Sequence, residues 1–386
     1  MAAASASARP VRRRHALLAT VFALPLAACQ RAPQLVKVGF VGGLSGSVAE
    51  LGVQGRNGAL LAVETLNQRD GPRYELLVQD DQQDAQRIVA AIDALARDGA
   101  AFAIGPMTSA MAVAALPAAD RHQLPLISPT ATTDELSGRK DLFFRVGTAA
   151  AIGARQLGEQ LHRRGMASLA IVMDHKNRAY SAGFGVAAAE RFAALGGQVG
   201  GRIGYEERSP DFGAIAEQLL ATRPQAVLIV TGVGDAALLA QQLRRRQPEV
   251  QLAVSPWAAN AQFLQVGARA VEGCLALQAL DLDSPVPAYV DFRNRFKTRF
   301  GDLPATPAVQ SYDALMVGAA ALAAAGSRAA LPKQLSDPAK PWPGLLGEYR
   351  FDAFGDTERP LHLAEVRDGR FVPAAAVAAA ASAPAR

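Results

Sequence analysis

The sequence predicts an α/β protein of two doubly wound parallel-sheet lobes. Three observations carry this. Strand-like and helix-like segments alternate from residue 35 to residue 255. The strand segments are continuous apolar runs without polar alternation, as expected of strands covered on both faces. At 386 residues the chain is also too long for one ordinary domain, and two cores of similar size fit it better.

The alternation starts at VKVGFVG (36–42), an apolar run closing on glycine. Helical spacing follows over 51–67 through Leu51, Leu60, Leu61, Val63 and Leu66. Tyr74–Gln79 reads as a strand and 84–97 as a helix with Ile88, Val89, Ile92 and Leu95 on one face. FAIG (102–105), a helix over 109–121 and LPLIS (124–128) complete the first series. The second series is helix 152–164, strand 169–173, helix 182–195, strand 198–203, helix 212–221, strand 226–230, helix 235–246 and strand 251–255. Strands alternating with helices of about 10–15 residues imply βαβ units and a parallel sheet. A third part breaks the rhythm. Helices are predicted at 288–300 and 308–325, followed by a Pro- and Gly-rich stretch at 331–347. EYRFDAFGD and LHLAEVRDGRFVP then suggest short antiparallel strands with turns at Phe354-Gly355-Asp356 and Asp368-Gly369.

The N-terminus reads as a leader. Arg9, Arg12, Arg13 and Arg14 precede an apolar run at 16–28, too short for a bilayer core that needs about 20 residues. The run ends in Leu26-Ala27-Ala28-Cys29, which resembles a bacterial lipobox, so Cys29 is expected to carry lipid and to open the mature chain. That gives a signal peptide over 1–28 and a tether over 29–34. No later hydrophobic stretch is expected to span a membrane. The leader holds four of the 40 basic residues and no acid, so the remainder has 36 basic against 35 acidic residues. Near-neutral charge and 6% aromatics, not interleaved with Lys or Arg, argue against a nucleic-acid partner. Cys274, in a strand-like run, is expected to be an inert buried thiol. The segment AAAVAAAASAPAR is a low-complexity tail, expected to be disordered over 374–386.

Several segments resemble one family in order: VGFVGGLSGSVAELGVQGRNGALLAVETLN, LLVQDDQQDAQRIVAAIDALARDGAAFAIGP, ISPTATTDEL, FRVGT, SYDAL and YRFDAFGD…VRDGRFVP. They are similar to type I periplasmic solute-binding proteins of the leucine/isoleucine/valine-binding family, which serve ABC importers. The resemblance covers about residues 35 to 373. It implies two lobes joined by a multi-strand hinge with a ligand in the cleft between them. One lobe would comprise 35–146 and 279–345, the other 147–278 and 346–373.

A cleft site also follows from the residues. In parallel sheets ligands sit beyond the C-terminal strand ends. Gly105-Pro106-Met107-Thr108-Ser109 and Ser128-Pro129-Thr130-Ala131-Thr132-Thr133 follow consecutive strands. Hydroxyls and free amides at helix starts suit a carboxylate; alone, each loop is better explained as a helix cap, and the two on consecutive strands together favour ligand contact. The resemblance implies that Ser109, Thr130 and Thr132 hold the carboxylate of an amino-acid-like ligand. Thr108 and Ser128, in the same loops, are counted as ligand contacts with them. It also implies that Tyr180 packs on the ligand from the second lobe. Trp257 stands where amino-acid binders of the family carry an acid for the ammonium group. An indole stacks on a ring or a cation but does not neutralise an amine. A cyclic, aromatic or amide-like acid is therefore as well supported as an α-amino acid. Asp174, Glu206 and Asp235 are candidates for a charge from other loops.

Other motifs are set aside. Asp80-Asp81-Gln82-Gln83-Asp84 ends a strand and opens a helix, so Asp84 reads as an N-cap rather than a metal ligand. The glycines after the first strand do not follow G-x-G-x-x-G. No nucleophile elbow or paired histidine spacing stands out. The expectation is a lipid-anchored periplasmic binding protein, on the cell or outer membrane, monomeric, non-catalytic, and without metal or cofactor. Its partners would be a small solute and an ABC permease with its ATPase. A sensor acting on a receptor, and an enzyme on a Rossmann-like scaffold, are the rival expectations.

Overall fold

A computed structural model describes residues 34–207 and 209–374, with residues 1–5 and 7. The expected h-region, Cys29 and the tether up to Pro33 lie outside the described residues, as does the tail beyond Ala374. Ala374 itself is buried.

The first lobe is built on β1 (Leu35–Gly42), α1 (Ala49–Asn67), β2 (Arg73–Asp80), α2 (Ala85–Arg97), β3 (Ala103–Ile104), α3 (Ser109–His122), β4 (Leu126–Ser128) and β5 (Phe143–Arg145). Its five strands are all parallel, in the order β2-β1-β3-β4-β5. The second lobe repeats the pattern with α4 (Ala150–Arg163), β6 (Ser168–Asp174), α5 (Arg178–Ala194), β7 (Gln198–Tyr205), α6 (Phe212–Ala221), β8 (Ala226–Val230), α7 (Val233–Arg246), β9 (Gln251–Val254), α8 (Ala261–Gly267) and β10 (Leu275–Gln278). Its parallel strands run β7-β6-β8-β9-β10, the same order as in the first lobe. In this order the winding reverses between β1 and β3, and again between β6 and β8. A crevice opens at each reversal.

The remaining elements are α9 (Pro287–Phe300), α10 (Thr306–Ala325), α11 (Leu331–Leu335), β11 (Trp342–Gly344), β12 (Gly347–Tyr349), β13 (His362–Arg367) and β14 (Arg370–Pro373). Tyr289, Phe292 and Phe296 of α9 and Val309, Tyr312 and Leu315 of α10 share one core with Val38 and Phe40 of β1. β13 pairs antiparallel with β10 and carries β14 through a hairpin, so these strands extend the second sheet. The hairpin turns on Asp368 and Gly369, both with positive φ, as a two-residue loop of this hand requires.

The helices form for ordinary reasons. Asp84 caps α2 by accepting from the Gln86 and Arg87 amides, and Ile88, Ala91, Ile92 and Leu95 make its buried stripe. Asp80 and Asp81 take loop amides of Leu44, Gln82 and Gln83, so the acidic run is spent on turns. α1 works differently: it lies on its neighbours at backbone distance. A Cβ at Gly58 would stand 2.0 Å from the Ala308 carbonyl oxygen of α10, and one at Gly52 2.0 Å from the Gly43 carbonyl oxygen at the end of β1.

The lobes are joined where β5 leads to α4, where β10 leads to α9, and where β12 leads to β13. The first and third of these lie side by side. Thr148 donates to the Arg359 carbonyl at 2.9 Å and accepts from its amide at 2.8 Å. The Arg145 amide donates to Gly355 at 3.0 Å, and Thr357 donates to the Arg145 carbonyl at 3.0 Å. Arg145 itself is fully buried. Its guanidinium meets Asp356 at 2.8 Å, the Thr133 carbonyl at 2.7 Å and the Ser137 hydroxyl at 2.6 Å.

Three expectations need correction. Most of EYRFDAFGD is not strand: Glu348 and Tyr349 pair with β11, Phe351 makes an isolated bridge to Thr357, and Asp352–Asp356 is a turn bonded to itself. The Pro- and Gly-rich stretch holds α11 and β11, and β5 and α8 also went unread. Three-residue strands and single-turn-scale helices are too short to show a period. Lastly, α10 is long and apolar enough to cross a membrane, but 67% of its apolar window is buried inside the protein. Cys274 is fully enclosed, and burial pushes its thiol up, away from the reactive thiolate.

Gly58→Ala is expected to force α1 and α10 apart and to lower unfolding stability by about 1–3 kcal/mol. Urea denaturation checks this; an unchanged midpoint would mean the helices separate freely.

Candidate functional site

A cavity of about 130 Å³ lies between the lobes. It is lined from both reversal points. Glu50, Thr108 and Ser109 flank the one between β1 and β3; Asn177, Tyr180 and Gly232 flank the one between β6 and β8. Thr130, Thr132 and Trp257 complete the set that sequence reasoning brought forward. Ser128 is the exception. It is fully buried and does not line the cavity: its hydroxyl donates to the Pro106 carbonyl at 2.7 Å and accepts from the Ala131 amide at 3.0 Å. It ties one loop to the other from beneath.

The hydroxyls divide by where their protons go. Thr130 donates to the Met107 carbonyl at 2.5 Å, and Thr108 to the Gln83 side-chain oxygen at 2.9 Å. Those two protons are spent inside the protein. Ser109 is 1% exposed and accepts from the Thr132 and Thr133 amides at 3.1 and 3.2 Å. A serine hydroxyl has two acceptor sites and one proton, so Ser109 still has its proton to give. The Thr132 hydroxyl and the Thr130 amide have no protein partner among the described residues. The Ser109 and Thr132 hydroxyls and the Thr130 amide are therefore among the donors open to a ligand. One helix-start amide expected to be free is taken. Ala110 donates to Asn177 Oδ1 at 3.1 Å, a bond that joins the two lobes across the cleft.

The opposite wall is aromatic. Tyr180 meets Trp257 edge-on, with centroids 5.8 Å apart at 90°, and tilts against Phe184 at 5.6 Å. The Tyr180 hydroxyl is buried beside Ser255 and the Trp257 backbone, yet makes no aligned hydrogen bond. Burial pushes its pKa up, so it stays a neutral phenol. Asp174 and Asp235 do not line the cavity. Lys176 reaches both, and Tyr205 donates to Asp235 at 2.6 Å. Glu206 is exposed and lies away from the cavity.

Comparison with known proteins bears on this geometry. Residues 35–370 match the family described as periplasmic binding protein. The chain belongs to the periplasmic binding protein family. It is a solute-binding protein of the type I fold, with two lobes around one cleft. A Leu/Ile/Val-binding protein homologue from Brucella melitensis is 26% identical over 355 residues, covering 89% of this chain and 94% of that protein. A substrate-binding protein from Desulfitobacterium hafniense, solved in complex with Leu, is 25% identical with a TM-score of 0.72, over 88% of this chain and 100% of that one. A solute-binding protein from R. palustris in complex with benzoate shares the fold, with a TM-score of 0.80 at 19% identity over 88% and 95% of the two chains.

Among the cavity residues that sequence reasoning missed in this periplasmic binding protein are Asn177 and Glu50. Asn177 follows β6 in a short turn whose cap is Asp174, and nothing in its spacing marks it. Glu50 opens α1 and looks like a solvated first-turn acid. The available signal was position: both lie just beyond the C-terminal ends of strands at a winding reversal.

Because Ser109 accepts two otherwise unpaired amides, Ser109→Ala is expected to destabilise the empty protein by about 1–3 kcal/mol. Thr132→Val, which strands no buried amide, should leave it unchanged. Thermal unfolding of both variants tests the distinction, and equal melting temperatures would contradict it.

Proposed function

We propose that this periplasmic protein captures a small carboxylate-bearing solute between its lobes and delivers it to an ABC permease and its ATPase. The single observation that carries this is the set of unspent donors at the ends of β3 and β4: two hydroxyl protons and one amide, on residues that line one cavity. A hydrogen bond to a charged acceptor contributes about 1.5–3 kcal/mol. Three of them supply much of the ~8 kcal/mol behind micromolar affinity. Tyr180, Phe184 and Trp257 support an apolar or ring-bearing body opposite the carboxylate. Family relatives named for leucine, isoleucine and valine, and a fold neighbour holding benzoate, agree with both halves of that description.

The solute is bound, not turned over. The lobes close on it as a hinge, and the solute favours closure by binding that state better. The protein acts as a monomer, anchored through lipid on Cys29.

Two experiments test this. In calorimetric titration over amino acids and aromatic acids, the best carboxylate should lose its binding when converted to the methyl ester. Thr132→Val should weaken that carboxylate about tenfold or more, roughly 1.4 kcal/mol. An ester that binds as well as the acid would sink the reading. Separately, Cys29→Ser should move the protein from the membrane fraction into the soluble periplasm; continued membrane attachment would refute the lipid anchor.

A further inference from the structure

Two helix starts in this protein do without the cap that their own residues could supply. Thr108 is the N-cap residue of α3, yet its side chain accepts no bond from that helix, and its hydroxyl donates to Gln83 instead. Asn177 is the N-cap residue of α5, and asparagine is among the best residues for that position. Its side chain likewise makes no bond to its own helix. It reaches across the cleft and accepts from the Ala110 amide of α3 at 3.1 Å. Ala110 stands second in α3, where the side chain of an N-cap residue ordinarily bonds. Asn177 therefore caps a helix of the first lobe from the second.

The surroundings tie this bond to the contact between the lobes. Asn177 is 6% exposed, so little water reaches its side chain to take the place of the protein partner. Each helix start is a partial positive end. Two such ends brought together repel unless an acceptor lies between them, and the Asn177 side-chain oxygen is that acceptor. α3 and α5 pack on each other around it. Further along α5, a Cβ at Gly183 would stand 3.9 Å from Asp134 Oδ2 of the first lobe, an ordinary contact distance. Among the described residues, the Ala110–Asn177 bond is the one hydrogen bond between the lobes outside the crossing segments and the start of α4, into which one of them leads.

We propose that Asn177 is a latch that caps α3 only while the lobes are in contact, so that the closed form is populated without a solute. Opening leaves α3 with neither a cap of its own nor the borrowed one. A closed form that is already populated lessens the differential affinity a solute must supply to hold the cleft shut.

The test needs no solute, so its result is independent of the carboxylate reading. Gln86→Cys in α2 and Glu190→Cys in α5 place one spin label on each lobe of the full chain carrying Cys29→Ser; both positions are exposed, and Cys274 is fully buried and stays unlabelled. Pulsed electron resonance then gives the interlobe distances of the empty protein. The chain with Asn177 intact should show a short-distance, closed population. Asn177→Ala should lower the closed-to-open ratio by about threefold or more, within the range that loss of an N-cap implies. Asn177→Asp keeps an acceptor and suits a helix start, so it should hold the ratio at or above its original value. Each lobe has its own core, so both variants should keep the circular dichroism of the original chain. No closed population in the chain with Asn177 intact, an unchanged ratio in Asn177→Ala, an equal loss in both variants, or failure of Asn177→Ala to fold would each overturn the latch.

Discussion

Polar groups left unpaired where parallel strands end govern this protein. A strand that feeds a helix leaves its last groups outside the ladder, and the helix opens with amides that have no partner of its own. In a doubly wound sheet the winding reversal gathers such ends at one crevice. Here two sheets of the same order turn those crevices toward each other, so polar valence from both meets in one small cavity. Most of it is satisfied internally. Ser128, Thr130 and Thr108 spend their protons on neighbouring loops, and Asn177 takes the Ala110 amide across the cleft. The few donors left over, with Glu50, line the cavity.

Holding two crevices face to face requires a stiff joint. Arg145 provides it at the end of β5. A buried guanidinium is tolerable only when its hydrogen bonds and charge are met. Asp356, the Thr133 carbonyl and the Ser137 hydroxyl meet them; Thr133 and Ser137 belong to the loop after β4, and Asp356 to the segment that returns to the second sheet. The same cation thus binds the β4 loop, which carries Thr132, to the segment that returns to the second sheet. The mutual bonds of Thr148 and Arg359 add a second tie. Cleft geometry and hinge geometry are coupled through these few residues.

The two walls differ in chemistry because they differ in what their loops are made of. The first lobe presents short hydroxyl-bearing loops on consecutive strands, braced from behind by one another. The second presents Tyr180, Phe184 and Trp257, rings that pack on each other before anything enters. A polar wall fixes one end of a solute, and an aromatic wall accepts its body with little directional demand. The Asn177–Ala110 bond crosses between the walls, so closure is favoured by contacts of the protein's own as well as by a solute.

The alternating fold, both helix-strand series, the Asp84 cap, the Asp368-Gly369 hairpin and the two hydroxyl loops were legible in the sequence. Each is set by local chemistry: an apolar period, a capping side chain, a residue tolerant of positive φ. Short elements such as β5, α8 and β11 were not, because three to seven residues carry no period. Which hydroxyls still have protons to give was also out of reach, as it depends on carbonyls 22 or 23 residues away, Pro106 for Ser128 and Met107 for Thr130. So was the placement of Glu50 in the cavity lining, since in one dimension it is a helix-start acid like any other. By itself the sequence determined what kind of surface each strand end would offer. Only tertiary structure decided which of those polar groups were already spoken for, since that is settled by neighbours the chain brings together through space.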